Sequence, residues 1–139
     1  MCGIAGTINI NPKKISLQQL KVMTDCIAHR GPDGEGFWIS DDNKAGFGHR
    51  RLRIIDLSNA AAQPMHYMQR YTIIFNGEIY NYIELKNDLI KKGYTFKTSS
   101  DTEVLMALYD AEKENCLQLL DGMFSFAIYD NKEKKIFCA

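Results

Sequence analysis

The opening sequence MCGIAG, residues 1–6, places a cysteine directly behind the initiator methionine. We expect the methionine to be removed, because a small second residue favours that processing, and Cys2 then carries both a thiol and a free α-amine. An α-amine titrates near ~7.7 and a thiol near ~8.5, so at neutral pH the amine can accept the thiol proton. Cys2 would thus be a nucleophile with its own general base. The alternative, which Cys2 taken alone favours, is an ordinary residue at a frayed terminus.

A strand and a helix are predicted behind this cysteine. Residues 4–10 have the pattern of a strand, and Ser16 with Gln19 forms a capping box at a helix start. The helix should stop by Arg30, because Gly31-Pro32 breaks it. Its predicted apolar face consists of Leu17, Leu20, Met23 and Ile27.

The composition indicates one domain with a real core. The chain has 139 residues, of which 45% are hydrophobic and 11% aromatic. Lysine plus arginine equals aspartate plus glutamate at 17 each, so no nucleic acid or anionic membrane is expected as a partner. No apolar run reaches the ~20 residues of a membrane helix, and we expect no signal peptide.

The cysteines indicate a reducing compartment. They are widely spaced and contain no Cys-x-x-Cys pair: Cys2, Cys26, Cys116 and Cys138. A disulfide framework or a zinc site is therefore not expected, and the cytoplasm is the predicted location. Cys26 and Cys116 lie in amphipathic stretches, which predicts that both are small core residues.

The glycine-rich sequence HRGPDGEGFW, residues 29–38, taken alone, is most simply a loop, and it precedes a basic segment. Strands are predicted at 37–39 and 45–55, with a turn at 41–43. The second strand contains GHRRLRIID, residues 48–56, in which Arg51 and Arg53 share a face. These arginines could simply face solvent on an edge strand. Alternatively, one of them points into a pocket and binds a carboxylate through its planar fork.

The sequence FNGEIY, residues 75–80, joins a predicted strand to a predicted helix. Asn-Gly is typical of a tight turn, and the strand at 71–75 should end there. Helical spacing begins at Tyr82 and continues to Gly93, a good C-terminal stop. A strand–turn–helix junction of this kind presents the Asn76 amide and backbone N–H groups together, which suits a developing oxyanion.

The last third of the chain predicts a short strand at 94–97, a helix at 102–113 and strands at 123–130 and 136–139. Ser100 and Glu103 form a second capping box. Asp101 falls in the first helical turn, where an acid that complements the helix dipole is the simplest explanation.

Five motifs in this order resemble the glutaminase half of glutamine-hydrolysing asparagine synthetases, a class II glutamine amidotransferase family. They are MCGIAG, HRGPDGEG, GHRRLRIIDLS, FNGEIYN and SSDTE. The resemblance covers nearly all of residues 1–139 and implies an α+β fold, the αββα four-layer sandwich of N-terminal-nucleophile hydrolases. The helices at 82–91 and 102–113 should form one outer layer and the helix at 17–27 the other. Relatives continue beyond the last strand, so we expect a C-terminally truncated, incomplete glutaminase domain.

The resemblance also implies a site for glutamine. Cys2 is the expected nucleophile, and the Asn76 side chain with the Gly77 backbone N–H is the expected oxyanion hole. Arg51 is expected to bind the glutamine α-carboxylate, and Glu78 and Asp101 to receive its α-ammonium group. The expected substrate-binding residues are Arg51, Leu52, Ile54, Ile55, Glu78 and Asp101, with no metal ligands.

Partners and cofactors follow from the same resemblance. L-glutamine is the expected substrate, and the ammonia should pass to a synthetase domain that this chain lacks, with aspartate as the acceptor. No cofactor is expected here, since ATP and Mg²⁺ belong to that synthetase domain. The alternatives are a relative that amidates a sugar or another carboxylate, and a non-catalytic fragment. An unpaired last strand would favour self-association, with a homodimer as one outcome.

Overall fold

Two antiparallel sheets form the centre of the molecule across residues 2–10 and 14–139, the part of the chain that this computed structural model describes. The strands are β1 (Gly3–Ile8), β2 (Gly34–Ile39), β3 (Ala45–Arg51), β4 (Met65–Tyr67), β5 (Tyr71–Ile79), β6 (Gly122–Asp130) and β7 (Lys135–Cys138). The first sheet has the order β1-β3-β2, and the second has the order β4-β5-β6-β7.

Helices cover the outer face of each sheet. They are α1 (Leu17–Asp25), α2 (Tyr82–Lys91) and α3 (Asp101–Glu112), with 3-10 turns at Ala28–Arg30, Asn59–Ala61 and Lys113–Gln118. α1 packs on the first sheet, whereas α3 packs on the second and α2 packs on α3. The layers therefore run helix, sheet, sheet, helices, and the predicted α+β αββα sandwich is confirmed.

Side-chain alternation along β3 divides the molecule into two interiors. Gly48 faces α1, where Leu20 and the methyl group of Thr24 pack closely on it, and Gly46 on the same face packs on Ile15, just before that helix. The other face of β3 points towards the second sheet, and its Ala45 and Phe47 pack with Ile74 and Tyr129. A second and larger core lies between the other face of the second sheet and helices α2 and α3.

The face of α1 that packs inward is only partly the predicted one, since Leu20 is buried and Ile27 is half-buried. Leu20 and Thr24 are buried, whereas Leu17 and Met23 are largely exposed. Thr24 can be buried because its hydroxyl donates hydrogen bonds to the carbonyl oxygens of Leu20 (3.3 Å) and Lys21 (2.8 Å). The predicted cap is confirmed, since the Ser16 hydroxyl accepts the Gln19 N–H.

Three further strand predictions differ from the structure. β2 begins at Gly34, inside the predicted glycine-rich loop, and β3 ends at Arg51 rather than continuing to residue 55. β3 ends there because the Leu52 N–H leaves the sheet and donates to the Cys2 sulfur. The predicted strand at 94–97 is absent, since the Glu103 carboxylate accepts the backbone N–H groups of Lys97 and Thr98.

The Asn76-Gly77 dipeptide is not a turn, which corrects the predicted junction. β5 continues through it to Ile79, with Asn76 opposite Ser125 and Gly77 opposite Phe124. A Cβ atom on Gly77 would collide with the β6 backbone at Phe124, so glycine serves close strand packing there.

Two predictions for the cysteines and caps also have mixed outcomes. Cys116 is buried as predicted, but Cys26 is exposed because it caps the outer end of α1. Ser100 does cap α3, although its hydroxyl accepts the N–H of Thr102.

Among the described residues, no helix is long and apolar enough to cross a lipid bilayer.

Candidate active site

A cavity opens where the space between the two sheets reaches solvent. Eight of the nine predicted site residues line it: Cys2, Arg51, Leu52, Ile54, Ile55, Gly77, Glu78 and Asp101. The alternation along the strands explains this convergence. On β3, the row that begins with Ala45 and Phe47 in the core ends with Arg51 at the cavity, and on β5 the row that begins with Ile74 continues to Asn76 and Glu78.

Cys2 is fixed at the start of β1 with its sulfur facing the cavity. Its Sγ accepts a hydrogen bond from the Leu52 N–H at 3.3 Å, and its thiol lies 3.5 Å from the Leu52 carbonyl oxygen. The Cys2 carbonyl oxygen accepts the Arg30 Nε–H at 3.1 Å, and Gly3 pairs with Arg50 in the sheet. These contacts hold the Cys2 sulfur in place, so Cys2 does not lie at a frayed terminus. The predicted removal of Met1 concerns a residue outside the described part of the chain.

Arg51 is the buried arginine of the basic segment, with 7% of its surface exposed. Its two terminal nitrogens donate to backbone carbonyls, Nη1 to Ser58 at 2.8 Å and Nη2 to Asp56 at 2.7 Å. A guanidinium has five N–H donors, so others remain for a carboxylate in the cavity.

Of the two neighbouring arginines, Arg50 is engaged away from the cavity, whereas Arg53 lines it from an exposed position. Arg50 forms ion pairs with Asp25 and with Glu35, the latter at 2.8 Å, on the side of the sheet that α1 covers. Arg53 is exposed, and its side chain donates to Asn59 at 3.2 Å and to the Leu57 carbonyl at 3.4 Å. Of the two arginines that line the cavity, Arg51 is thus the buried one, and its burial suits recognition of a substrate anion.

Two acids line the same cavity as Arg51, from the second sheet and its helix. Asp101, at the start of α3, is 5% exposed, and its Oδ2 accepts the Ile79 N–H at 3.2 Å. Burial raises the pKa of Asp101 above its ordinary value, and the negative charge of Glu78 acts in the same direction, whereas the N–H groups of Ile79 and Thr102 oppose it. Glu78 is exposed at the mouth of the same cavity. A cationic group bound between these carboxylates would relieve their mutual repulsion.

Backbone N–H groups of β5 face the cavity in a regular series. The Phe75 N–H is donated to the Gln63 Oε1 at 2.6 Å and the Ile79 N–H to Asp101, both away from β6. Because the direction of the N–H groups repeats every two residues, that of Gly77 faces the same edge, beyond the end of β4. Gly77 therefore presents a donor to the cavity.

Asn76 is the predicted residue that does not line the cavity itself. It precedes Gly77, and its Oδ1 is buried with no hydrogen-bond partner among the described residues. An orphaned buried amide oxygen is uncommon in folded proteins.

The cavity also contains residues that sequence reasoning missed. Gln63 joins two of its walls, since its side chain accepts the Phe75 N–H and lies 3.5 Å from the Thr102 hydroxyl through Nε2. No sequence signal marks Gln63. Asp56 is also part of the wall, and its spacing from Ser58 is the pattern of an Asx turn, which could have identified it. Among residues 2–10 and 14–139, no cluster of three His, Cys, Asp or Glu side chains is arranged to hold a metal ion.

Comparison with curated proteins finds relatives over the full chain. Asparagine synthetase [glutamine-hydrolyzing] 1 of Bacillus subtilis (strain 168) is 48% identical over 143 residues, which cover 100% of this chain and 22% of that protein. Asparagine synthetase B [glutamine-hydrolyzing] of Escherichia coli (strain K12) is 38% identical and is matched by 96% of this chain over 24% of its own length. The chain thus spans about a quarter or less of the length of these relatives.

Solved structures show a related fold. The glutamine phosphoribosylpyrophosphate (PRPP) amidotransferase from B. subtilis, complexed with ADP and GMP, superposes with a TM-score of 0.54 at 29% identity. The match covers 64% of this chain and 22% of that one. A family model described as a glutamine amidotransferase domain matches residues 1–139. The chain belongs to the glutamine amidotransferase domain family, with the glutaminase region of asparagine synthetases among its relatives.

Proposed function

We propose that residues 1–139 act as a glutaminase domain that hydrolyses the side-chain amide of L-glutamine to glutamate and ammonia. The observation that carries this proposal is the placement of a thiol, a buried guanidinium and two carboxylates around one cavity. Free glutamine has a fixed cation, a fixed anion and a reactive amide, and each has a complementary group here. Arg51 would bind the α-carboxylate, and Asp101 with Glu78 would bind the α-ammonium group.

In the proposed reaction the Cys2 sulfur attacks the amide carbon of the substrate. The free α-amine of the processed Cys2 takes the thiol proton and then delivers it to the departing ammonia, which leaves a thioester. Water hydrolyses the thioester, and glutamate is released. The Gly77 N–H and the Asn76 side chain would stabilise the oxyanion, and each such donor is typically worth roughly 2.7–4 kcal/mol in the transition state.

The ammonia acceptor is proposed to be aspartate, bound by a further domain of an asparagine-synthetase-type protein. The names of the relatives support this, as does 48% identity over the whole chain. ATP and Mg²⁺ would act in that further domain, and no cofactor is proposed for this one. An acceptor that is a sugar or another carboxylate is the second candidate.

Four free cysteines, one of them a proposed nucleophile, support a reducing cytoplasm.

Covalent labelling tests the proposed nucleophile. A glutamine analogue with an electrophilic diazoketone in place of the amide should modify Cys2 and leave Cys26, Cys116 and Cys138 unmodified. Only protein whose N-terminal mass shows residue 2 in first position should react, because an acylated nitrogen is not a base. Cys2→Ala should abolish glutamine hydrolysis and keep the circular dichroism spectrum of the wild type. Labelling spread over all four cysteines, or activity in Cys2→Ala, would contradict the proposal.

A further inference from the structure

The loop that follows β3 is organised by one carboxylate. The Asp56 Oδ1 accepts the Ser58 N–H at 2.8 Å, which closes a tight turn. The carbonyl oxygens of these same two residues accept the Arg51 guanidinium. The side chain of Asp56 therefore fixes both backbone groups that hold Arg51 in the cavity.

The second oxygen of this carboxylate reaches across to another segment. The Asp56 Oδ2 accepts the Ser99 N–H at 3.1 Å, 43 residues away in sequence. Ser99 precedes the Ser100 cap of α3, and Asp101 is the first residue of that helix. Asp56 thus joins the segment that holds the buried cation to the segment that holds the buried anion.

The charge on Asp56 fits this arrangement. Hydrogen bonding from Ser58 lowers the pKa of Asp56, partly opposed by burial, and the Ser99 N–H and the positive charge of Arg51 lower it further. The carboxylate therefore stays ionised at neutral pH and keeps both oxygens as acceptors. Because each oxygen already accepts a backbone N–H, Asp56 serves the protein rather than the ligand.

We propose that Asp56 is a positioning residue that sets the separation between the Arg51 guanidinium and the Asp101 carboxylate, and so selects substrates that carry both an α-carboxylate and an α-ammonium group. This inference rests on the proposed glutaminase function and extends it to substrate selection. A substrate with both groups needs the two walls at one fixed separation, whereas a substrate with only one of them needs a single wall. Loss of Asp56 should therefore penalise glutamine more than its truncated analogues.

The test compares three substrates in Asp56→Ala, Asp56→Asn and the wild type. Glutamine carries both α-groups, glutaramate (the monoamide of glutaric acid) lacks the amine, and 4-aminobutanamide lacks the carboxylate. Asp56→Ala should lower kcat/KM for glutamine about ten- to a hundredfold, mostly through KM, because misplacement by about 1 Å has effects of this size. The rate with 4-aminobutanamide should change by less than about twofold. Glutaramate still depends on Arg51 and should lose some activity, but less than glutamine, so the preference for glutamine shrinks.

The other variants and probes separate a local effect from a global one. Asp56→Asn keeps one acceptor and should fall between wild type and Asp56→Ala, which also covers the case that Asp56→Ala does not fold. Iodoacetamide, which carries neither α-group, should alkylate Cys2 at the wild-type rate, and hydrogen exchange of the Ser58 and Ser99 amides should accelerate. Asp88→Asn is the matched control, since Asp88 is an exposed aspartate paired with Lys91 at 2.8 Å on α2.

The outcomes distinguish this inference from the proposed function. A wild-type protein that hydrolyses no glutamine overturns the proposed function. Wild-type hydrolysis with an unchanged preference in Asp56→Ala overturns the role of Asp56 alone. Equal losses with all three substrates also overturn it, because they indicate general damage to the site.

Discussion

His49 is a buried histidine that lies beside the backbone of Phe75. It is 1% exposed on β3, and neither ring nitrogen forms a hydrogen bond of ordinary geometry with the described residues. Burial lowers the pKa of His49 to about 4, and the positive charge of Arg51 acts in the same direction, while the backbone of Phe75 opposes both. The ring is therefore neutral at physiological pH, and it separates the inter-sheet core from the charged cavity.

The protonation of His49 predicts how stability depends on pH. An unfolded histidine titrates near ~6.5, so between pH 4 and 6.5 the unfolded state binds more protons and the free energy of unfolding rises with pH. Between pH 4.5 and 7 this contribution amounts to about 2 kcal/mol. The free energy of unfolding should be measured with urea at both pH values for the wild type and for His49→Leu. Its change between the two pH values should be smaller in the variant by this amount. An identical pH dependence would mean that His49 does not resist protonation.

The edge of β5 is the element that carries most of the proposed chemistry. Beyond the end of β4, three N–H groups of β5 point away from β6. That of Phe75 donates to Gln63, that of Gly77 faces the cavity, and that of Ile79 donates to Asp101. Gln63 anchors the first of these and also approaches Thr102 on α3. The position of Gly77 therefore depends on a side chain from the loop that follows β3.

The substitution Gln63→Leu should shift the edge of β5 at which Phe75 and Gly77 lie. The variant leaves the buried Phe75 N–H without an acceptor, which costs about 1–3 kcal/mol in the free energy of unfolding. Glutamine turnover should fall more than glutamine binding, because the oxyanion donor shifts while Arg51 remains. Gln63→Glu keeps the acceptor oxygen but adds a buried carboxylate near Asp101, so it should restore only part of the stability measured by urea unfolding. A stability equal to wild type in Gln63→Leu would show that the Phe75 bond contributes nothing.

Helices and strands with clear periodicity could be predicted from the sequence. Where the prediction failed, contacts between residues distant in sequence explain the difference. Asn76-Gly77 has the composition of a turn, but pairing with β6 holds it in a strand. Eight predicted site residues do share one cavity. The bond between Cys2 and Leu52 spans 50 positions, and that from Gln63 to Phe75 is made by a side chain, so no local pattern encodes either one.

At the scale of the whole molecule, the cavity belongs to two separate units. Cys2 and Arg51 come from the first sheet, and Gly77, Glu78 and Asp101 come from the second sheet and its helix. The buried apolar residues that join the sheets are Ala45, Phe47, Ile74 and Tyr129, a far smaller set than those beneath α2 and α3. Activity should therefore be more sensitive to the inter-sheet core than secondary structure is.

Phe47→Ala tests this dependence. Phe47 is buried and packs on Trp38 with ring centroids 5.5 Å apart, so its truncation should cost about 3–5 kcal/mol. On heating, the variant should lose glutamine hydrolysis at a lower temperature than it loses the helical circular dichroism signal, to which α2 and α3 contribute most of the helical residues. Leu108→Ala on α3 is the matched control in the larger core, and there the two losses should coincide. Coincident losses in both variants would indicate that the sheets and helices unfold as one unit.

Because the cavity is divided between two sheets, the reactivity of the Cys2 thiol also reports on the progress of folding. A neutral alkylating reagent can modify the thiol in an unfolded chain, but a reagent shaped like glutamine needs Arg51 and Asp101 opposite each other. During refolding, the delay between the two reactivities measures how long the first sheet takes to dock on the second. The order of assembly of the two layers can thus be measured at a single sulfur atom.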